Sequence, residues 1–115
     1  MAKKGKLNVV FRIWLYSDGE KLLGKGRVEL LERIKKTGSI TSAAKEMKMS
    51  YRQAWQMVEE MNERSRVPLV EKRLGGRSGG GTVVTAAGEN AISAFYKLAE
   101  SVNEFIKTQA KNISF

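Results

Sequence analysis

The chain has 115 residues, with 21 Lys and Arg against 12 Asp and Glu, a formal net charge of +9, and neither Cys nor His. That length builds one domain, and 42% hydrophobic with 29% charged residues supports a folded core rather than wholesale disorder. The absence of Cys and His excludes disulfides, zinc fingers, Cys nucleophiles and His-based triads, and the charge points to a polyanion: DNA, RNA or an anionic membrane surface.

Lys3, Lys4 and Lys6 make residues 1–6 a basic arm. It leads into a strand-like stretch rather than the apolar core of a signal peptide. No apolar run approaches the roughly 18–20 residues of a membrane span, so no membrane partner and a cytoplasmic location are expected. Leu7, Val9, Phe11, Ile13 and Leu15 are apolar at every second position, with Val10, Arg12, Trp14 and Tyr16 between them. That period predicts an N-terminal strand. Ser17, Asp18, Gly19 and Glu20 follow as a turn.

From about Gly26 the period becomes helical. Val28, Leu30, Leu31 and Ile34 make one apolar face; Lys35 and Lys36 suit the helix C-terminus, and Gly38 stops it. Thr41 is expected to open a short helix, Ser42 to Met47. Ser50 opens another, Tyr51 to about Arg64, with Gln53 at capping-box spacing and Met49 placed to staple against Ala54. The link Met47 to Ser50 needs a left-handed residue, and Lys48 stands where glycine is usual, at a cost of about 1 kcal/mol.

After Pro68 the period returns to two, predicting strands at Leu69 to Leu74 and Thr82 to Thr85 around a long glycine-rich tip, Gly75 to Gly81. Thr85 then caps a long helix from Ala86 to about Asn112. Three helices followed by a two-stranded hairpin is the order of a winged helix-turn-helix, mainly α (α+β). The helix-turn-helix lies at 41–64, the wing at 69–85 and the last helix at 86–112.

Within 51–64, Ala54, Trp55, Val58 and Met61 fall on one side and are expected, with Met47 and Met49, to close the core. Arg52, Gln53 and Gln56 fall on the other side in the first two turns. These are the side-chain types that read base edges, and with Ser50 and Tyr51 they are the candidate base contacts. Glu59, Glu60 and Glu63 share that outward side further along and read as a solvated face. Arg64, Arg66, Lys72, Arg73 and Arg77 surround the wing; of these Arg66, Lys72, Arg73 and Arg77, with Thr41 and Ser78, are the candidate phosphate contacts. The wing lacks the G-K-[ST] and G-x-G-x-x-G fingerprints of nucleotide loops. Ile92, Phe95, Ala99, Val102 and Ile106 repeat at steps of three and four along the last helix, widened by Leu98 and Phe105. That stripe is broader than a small monomer core needs, and a homodimer interface is expected there.

Gly38-Ser39-Ile40-Thr41-Ser42-Ala43-Ala44-Lys45, Ser50-Tyr51-Arg52-Gln53-Ala54-Trp55, Met61-Asn62, Leu69-Val70-Glu71-Lys72, the run Gly75 to Gly81 and Thr85-Ala86-Ala87-Gly88 resemble the DNA-binding domain of ModE-type molybdate-responsive regulators. The alanine-rich first half is shared with LysR-type regulators, whereas the S-Y-x-x-A-W element and the glycine-run wing are more specific. The resemblance implies a homodimeric transcription factor on double-stranded DNA carrying a pseudo-palindromic operator. Its dimer contacts would come from the first and last helices, which adds Leu31 to the candidate interface. In that family molybdate-binding domains follow the DNA-binding domain, whereas this sequence ends at Phe115, so no molybdate cofactor and no effector-sensing role are carried over. The alternative from another class is a winged-helix module that docks a protein partner, supported by Glu59, Glu60 and Glu63. No metal site or catalytic group is expected.

Overall fold

The computed structural model describes residues 7–73 and 81–115. The basic arm and the wing tip with Arg77 and Ser78 therefore lie outside the described residues. The elements run β1 (Trp14–Ser17), β2 (Glu20–Gly24), α1 (Lys25–Thr37), α2 (Ile40–Glu46), α3 (Tyr51–Arg64), β3 (Val70–Arg73), β4 (Gly81–Val84) and α4 (Ala86–Ala110). This is a winged helix-turn-helix with a second, N-terminal hairpin.

That hairpin corrects the expected single strand. Asp18 and Gly19 both take positive φ, 48° and 80°, the pairing a two-residue turn needs to match the strand twist. Ser17 therefore pairs with Glu20 and the chain folds straight back. The ladder extends only as far as β2 supplies partners, to Trp14 opposite Gly24. Residues 7–13 alternate like a strand but form no strand in the structure. The register shifts between Leu15 and Tyr16, whose partners are Leu23 and Lys21. Leu22 is the extra residue of a bulge.

α1 supplies the centre of the core: Val28, Leu30, Leu31 and Ile34 are fully buried. Gly38 ends it at φ 72°, its N–H donating to the Ile34 carbonyl at 2.7 Å. α2 begins earlier than expected. Its cap is Ser39, whose Oγ accepts from the Ser42 N–H at 3.1 Å, and Ile40 is already buried in the core. Thr41 is thus an exposed first-turn residue rather than the residue that opens the helix. Ala43, Ala44 and Ala54 are buried in the same core, and their small side chains let α2 and α3 approach closely. Lys48 sits in the left-handed region as expected, at φ 56°, and the turn is closed by Met49 N–H on the Ala44 carbonyl at 3.0 Å.

The wing is rooted on both sides. β3 and β4 pair antiparallel from Val70 opposite Val84 to Arg73 opposite Gly81. On one side Asn62 of α3 accepts from Leu69 N–H at 2.8 Å and Val70 N–H at 3.2 Å, and donates to the Val70 carbonyl at 3.0 Å. On the other, Thr82 N–H donates to the Gly38 carbonyl at 3.0 Å. Thr85 then caps α4, accepting from Gly88 N–H at 3.1 Å while its hydroxyl donates to the Pro68 carbonyl at 2.7 Å. Gly88 lies so close to the Leu69 carbonyl that no side chain fits there. Along α4 only Gly88 and Phe95 are buried.

Candidate nucleic-acid interface

Ser50 starts α3 with an extended backbone, and its Oγ accepts from the Gln53 N–H at 3.1 Å. The reciprocal bond of a full capping box is absent among the described residues. From that start the helical turn of about 100° per residue sends Ala54, Val58 and Met61 into the core, at 0–3% exposure. Of the five candidate base contacts, Arg52 and Gln56 lie opposite that buried side and Gln53 at its flank, with Ser50 and Tyr51 at the helix start. Ser50, Tyr51, Arg52, Gln53 and Gln56 are all exposed, within the first two turns.

Three expectations around these residues need correction. Trp55 is not core: it is 41% exposed on the flank of α3, because the buried side of the helix is already filled by Ala54 and Val58. Glu60 does not belong to a solvated acidic face. Arg27 of α1, itself buried, donates to Glu60 Oε1 at 2.5 Å and also reaches the Lys21 carbonyl at 3.3 Å. Gln56 Nε2 donates to the other oxygen, Oε2, at 3.4 Å. Partial burial pushes the Glu60 carboxyl up, but Arg27, Gln56 and Arg64 together outweigh it and hold it below its ordinary value. Arg64 is not available to the wing. It lies 2.8 Å from Glu20 and 3.6 Å from Glu60, and donates to the Lys21 carbonyl at 2.7 Å. The Gln56–Glu60 spacing was readable as an i,i+4 pair. The partnership with Arg27 was not, since 33 residues separate the two.

Four cations of α1 are paired and five of the helix-turn-helix and wing are not; Arg12, Lys21, Lys25, Lys45, Lys97 and Lys111 are likewise exposed without an ion pair among the described residues. On α1, Arg27 pairs with Glu60, Arg33 and Lys36 with Glu46, and Lys35 with Glu89. The Glu46 carboxyl is lowered by its hydrogen bonds with Lys36 and Arg33. Lys48 of the turn, Arg52 of α3, Arg66, and Lys72 and Arg73 of β3 are exposed and form no ion pair among the described residues. The helix-turn-helix and wing thus carry these five exposed cations without an ion-pair partner among the described residues, against the exposed acids Glu59, Glu63 and Glu71, and α3 presents Arg52, Gln53 and Gln56 near its start. That is the arrangement phosphate positioning and base readout require.

The expected dimer stripe is only partly a surface. Leu31 is fully buried and Phe95 is 5% exposed, both enclosed in the chain's own core where α1 meets α4. Ile92 and Ala91 pack against that core. Beyond them Ala99, Val102 and Ile106 are half-buried, and Leu98 and Phe105 are exposed at 39% and 65%. A cleft of about 310 Å³, lined by Phe11, Ile13, Trp14, Phe95, Tyr96 and Ala99 among others, runs beside them.

Residues 26–89 match the bacterial regulatory helix-turn-helix proteins of the lysR family. The chain is similar to three curated proteins in particular. It is 39% identical over 92 residues to the molybdenum-pterin-binding protein MopB of Rhodobacter capsulatus, covering 80% of this chain and 34% of that protein. It is 45% identical over 78 residues to the transcriptional regulator ModE of Haemophilus influenzae, covering 68% and 30%. It is 42% identical over 74 residues to the DNA-binding transcriptional dual regulator ModE of Escherichia coli K12, covering 64% and 28%. The chain thus spans about a third of the length of these relatives. The family match runs from α1 through the first turn of α4 and takes in α2, α3 and both described strands of the wing, and on that footing the chain belongs to the lysR family of bacterial regulatory helix-turn-helix proteins, as a domain of ModE type.

Proposed function

We propose that this chain binds double-stranded DNA sequence-specifically, as a homodimer on a pseudo-palindromic operator, and regulates transcription from there in the cytoplasm. The family is one of regulators, not of enzymes. The observation that carries the reading is the exposed start of α3, Ser50 to Gln56, together with the exposed cations Lys48, Arg52, Arg66, Lys72 and Arg73, which form no ion pair among the described residues. On this reading α3 enters the major groove N-terminus first, Ser50, Tyr51, Arg52, Gln53 and Gln56 meet base edges, and Thr41, Arg66, Lys72, Arg73, Arg77 and Ser78 meet phosphates. Ala99, Val102 and Ile106, with Leu98 and Phe105, form the interface between copies, since a contiguous apolar strip on an exposed helix calls for a partner. The docking-module alternative loses ground, because Glu60 is taken up by Arg27 and leaves only Glu59 and Glu63 outside.

Selection of bound fragments from random duplex, followed by titration of the selected and scrambled duplexes at two salt concentrations, tests this. A selected site that is bound at least a thousandfold more tightly than the scrambled one fits the range of specific regulators. Equal binding of both would overturn the reading. We further propose that this chain holds no selective molybdate site and that molybdate leaves its DNA affinity unchanged beyond what sulfate does. Calorimetry with molybdate against sulfate at equal ionic strength tests this, and micromolar binding of molybdate alone would refute it.

A further inference from the structure

The hydrogen-bond chain from Arg27 through Glu60 to Gln56 couples a buried cation to one of the proposed base-reading side chains. Arg27 is 8% exposed, and its guanidinium is fixed by the Lys21 carbonyl as well as by Glu60. Glu60 is therefore anchored on one oxygen. Its other oxygen faces Gln56, one helical turn towards the N-terminus, at 3.4 Å. An ionised carboxylate can only accept hydrogen bonds. The end of the Gln56 amide that faces Glu60 must be the nitrogen, and the oxygen is the end turned away. A free glutamine is ambivalent, since rotation of its amide by half a turn exchanges donor for acceptor. The Glu60 carboxylate favours one of these two orientations over the other.

We infer that Glu60 is a specificity-determining residue that acts through Gln56: it fixes the Gln56 amide so that its oxygen is presented to the major groove, and the base read there carries an exocyclic amino group. In the major groove those groups are adenine N6 and cytosine N4, whereas guanine O6 and thymine O4 are acceptors that a presented oxygen repels. Glu60 touches no base itself; it is a positioning residue. The inference rests on the proposed reading of α3 as the base-contacting helix.

Its test compares wild type with Gln56→Ala, Glu60→Gln and Glu59→Gln on duplexes in which each half-site position in turn carries all four bases. Glu60→Gln keeps a carbonyl for Arg27 to bind but adds an amide that can donate as well as accept, so Gln56 is free to turn. Glu59→Gln removes the same charge from an exposed neighbour with no hydrogen bond to Gln56 among the described residues. Wild type is expected to favour adenine or cytosine over guanine and thymine at one position, by about fivefold for a single hydrogen bond. Gln56→Ala should erase that preference. Glu60→Gln should reduce it to less than twofold while binding to scrambled DNA holds or rises, and Glu59→Gln should leave it intact. Replacing the favoured adenine by purine, which lacks the amino group, should cost wild type the same factor and Glu60→Gln nothing.

If Gln56→Ala erases the preference and Glu60→Gln keeps it, the inference is wrong and the base-reading role of α3 stands. If Glu59→Gln weakens it as much as Glu60→Gln does, general charge and not amide orientation is the cause, and the inference is again wrong. If Gln56→Ala alters no position, Gln56 reads no base and both the inference and its part of the proposed reading fall.

Discussion

Asn62 holds Val70 by both backbone groups: its Oδ1 accepts from the Val70 N–H at 3.2 Å and its Nδ2 donates to the Val70 carbonyl at 3.0 Å. One side chain of α3 thus supplies the wing's first residue with a ladder partner that no neighbouring strand provides. The same oxygen takes the N–H of buried Leu69. Asn62→Ala leaves these groups unsatisfied and should cost about 1–3 kcal/mol, read as a lowered denaturant midpoint. Asn62→Asp keeps the acceptor and loses the donor, so its loss should be smaller. Equal losses for the two would mean that the acceptor is unimportant.

Arg52→Ala should weaken binding to the selected operator by about 1–3 kcal/mol and leave scrambled duplex nearly unaffected, because base contacts carry the sequence information. Fluorescence anisotropy on both duplexes decides. A uniform loss on both would make Arg52 a phosphate contact.

Lys72→Gln with Arg73→Gln should weaken binding to every sequence. It should also flatten the plot of log K against log salt by about 0.9 for each phosphate that is no longer neutralised. An unchanged slope would show that β3 does not reach the backbone.

Val102→Asp with Ile106→Asp should give monomers in sedimentation equilibrium and keep the far-ultraviolet spectrum, since both positions are only half-buried and lie beyond the core. Operator affinity should then fall to that of one half-site. A wild-type chain that sediments as a monomer at micromolar concentration would refute the interface.

Acid titration checks Glu60. Its folded carboxyl is held below the ordinary value of 4.5. The stability it contributes is complete above that value and is lost as the pH falls through the lower, folded one. Glu60→Gln should therefore be less stable than wild type at neutral pH, and the gap should close below about pH 4.5. A gap that persists unchanged at pH 2 would assign it to packing rather than to charge.

The caps of α3 and α4 and the left-handed turns were legible because each depends on one residue's chemistry, whereas α2 is capped by Ser39, two residues ahead of the expected Thr41. Ser50 and Thr85 accept from the N–H three residues on, and Gly38 and Lys48 take left-handed backbone where the sequence required it. β2 was not legible because its bulge sets Leu22 and Leu23 side by side and breaks the alternation that marks a strand. Trp55 departs from expectation because apolar character does not by itself mean burial, and its angular position lies at the flank. The exposure of Arg52, Gln53 and Gln56 was readable from helical angle alone. The partners of Glu60 and Arg64 were not, since Arg27 and the β1–β2 hairpin reach them only after the chain has folded.

Gly38 ends α1 and also accepts from the wing through Thr82. The length of α1 and the pose of the wing are therefore one geometric variable. An insertion of a single residue ahead of Gly38 would swing its carbonyl through about 100° around the helix axis, away from β4. The wing would have to give up either that anchor or its hold on Asn62. Among relatives of this domain, insertions and deletions should accordingly avoid α1 and gather beyond Arg73, where changes in chain length leave both anchors in register.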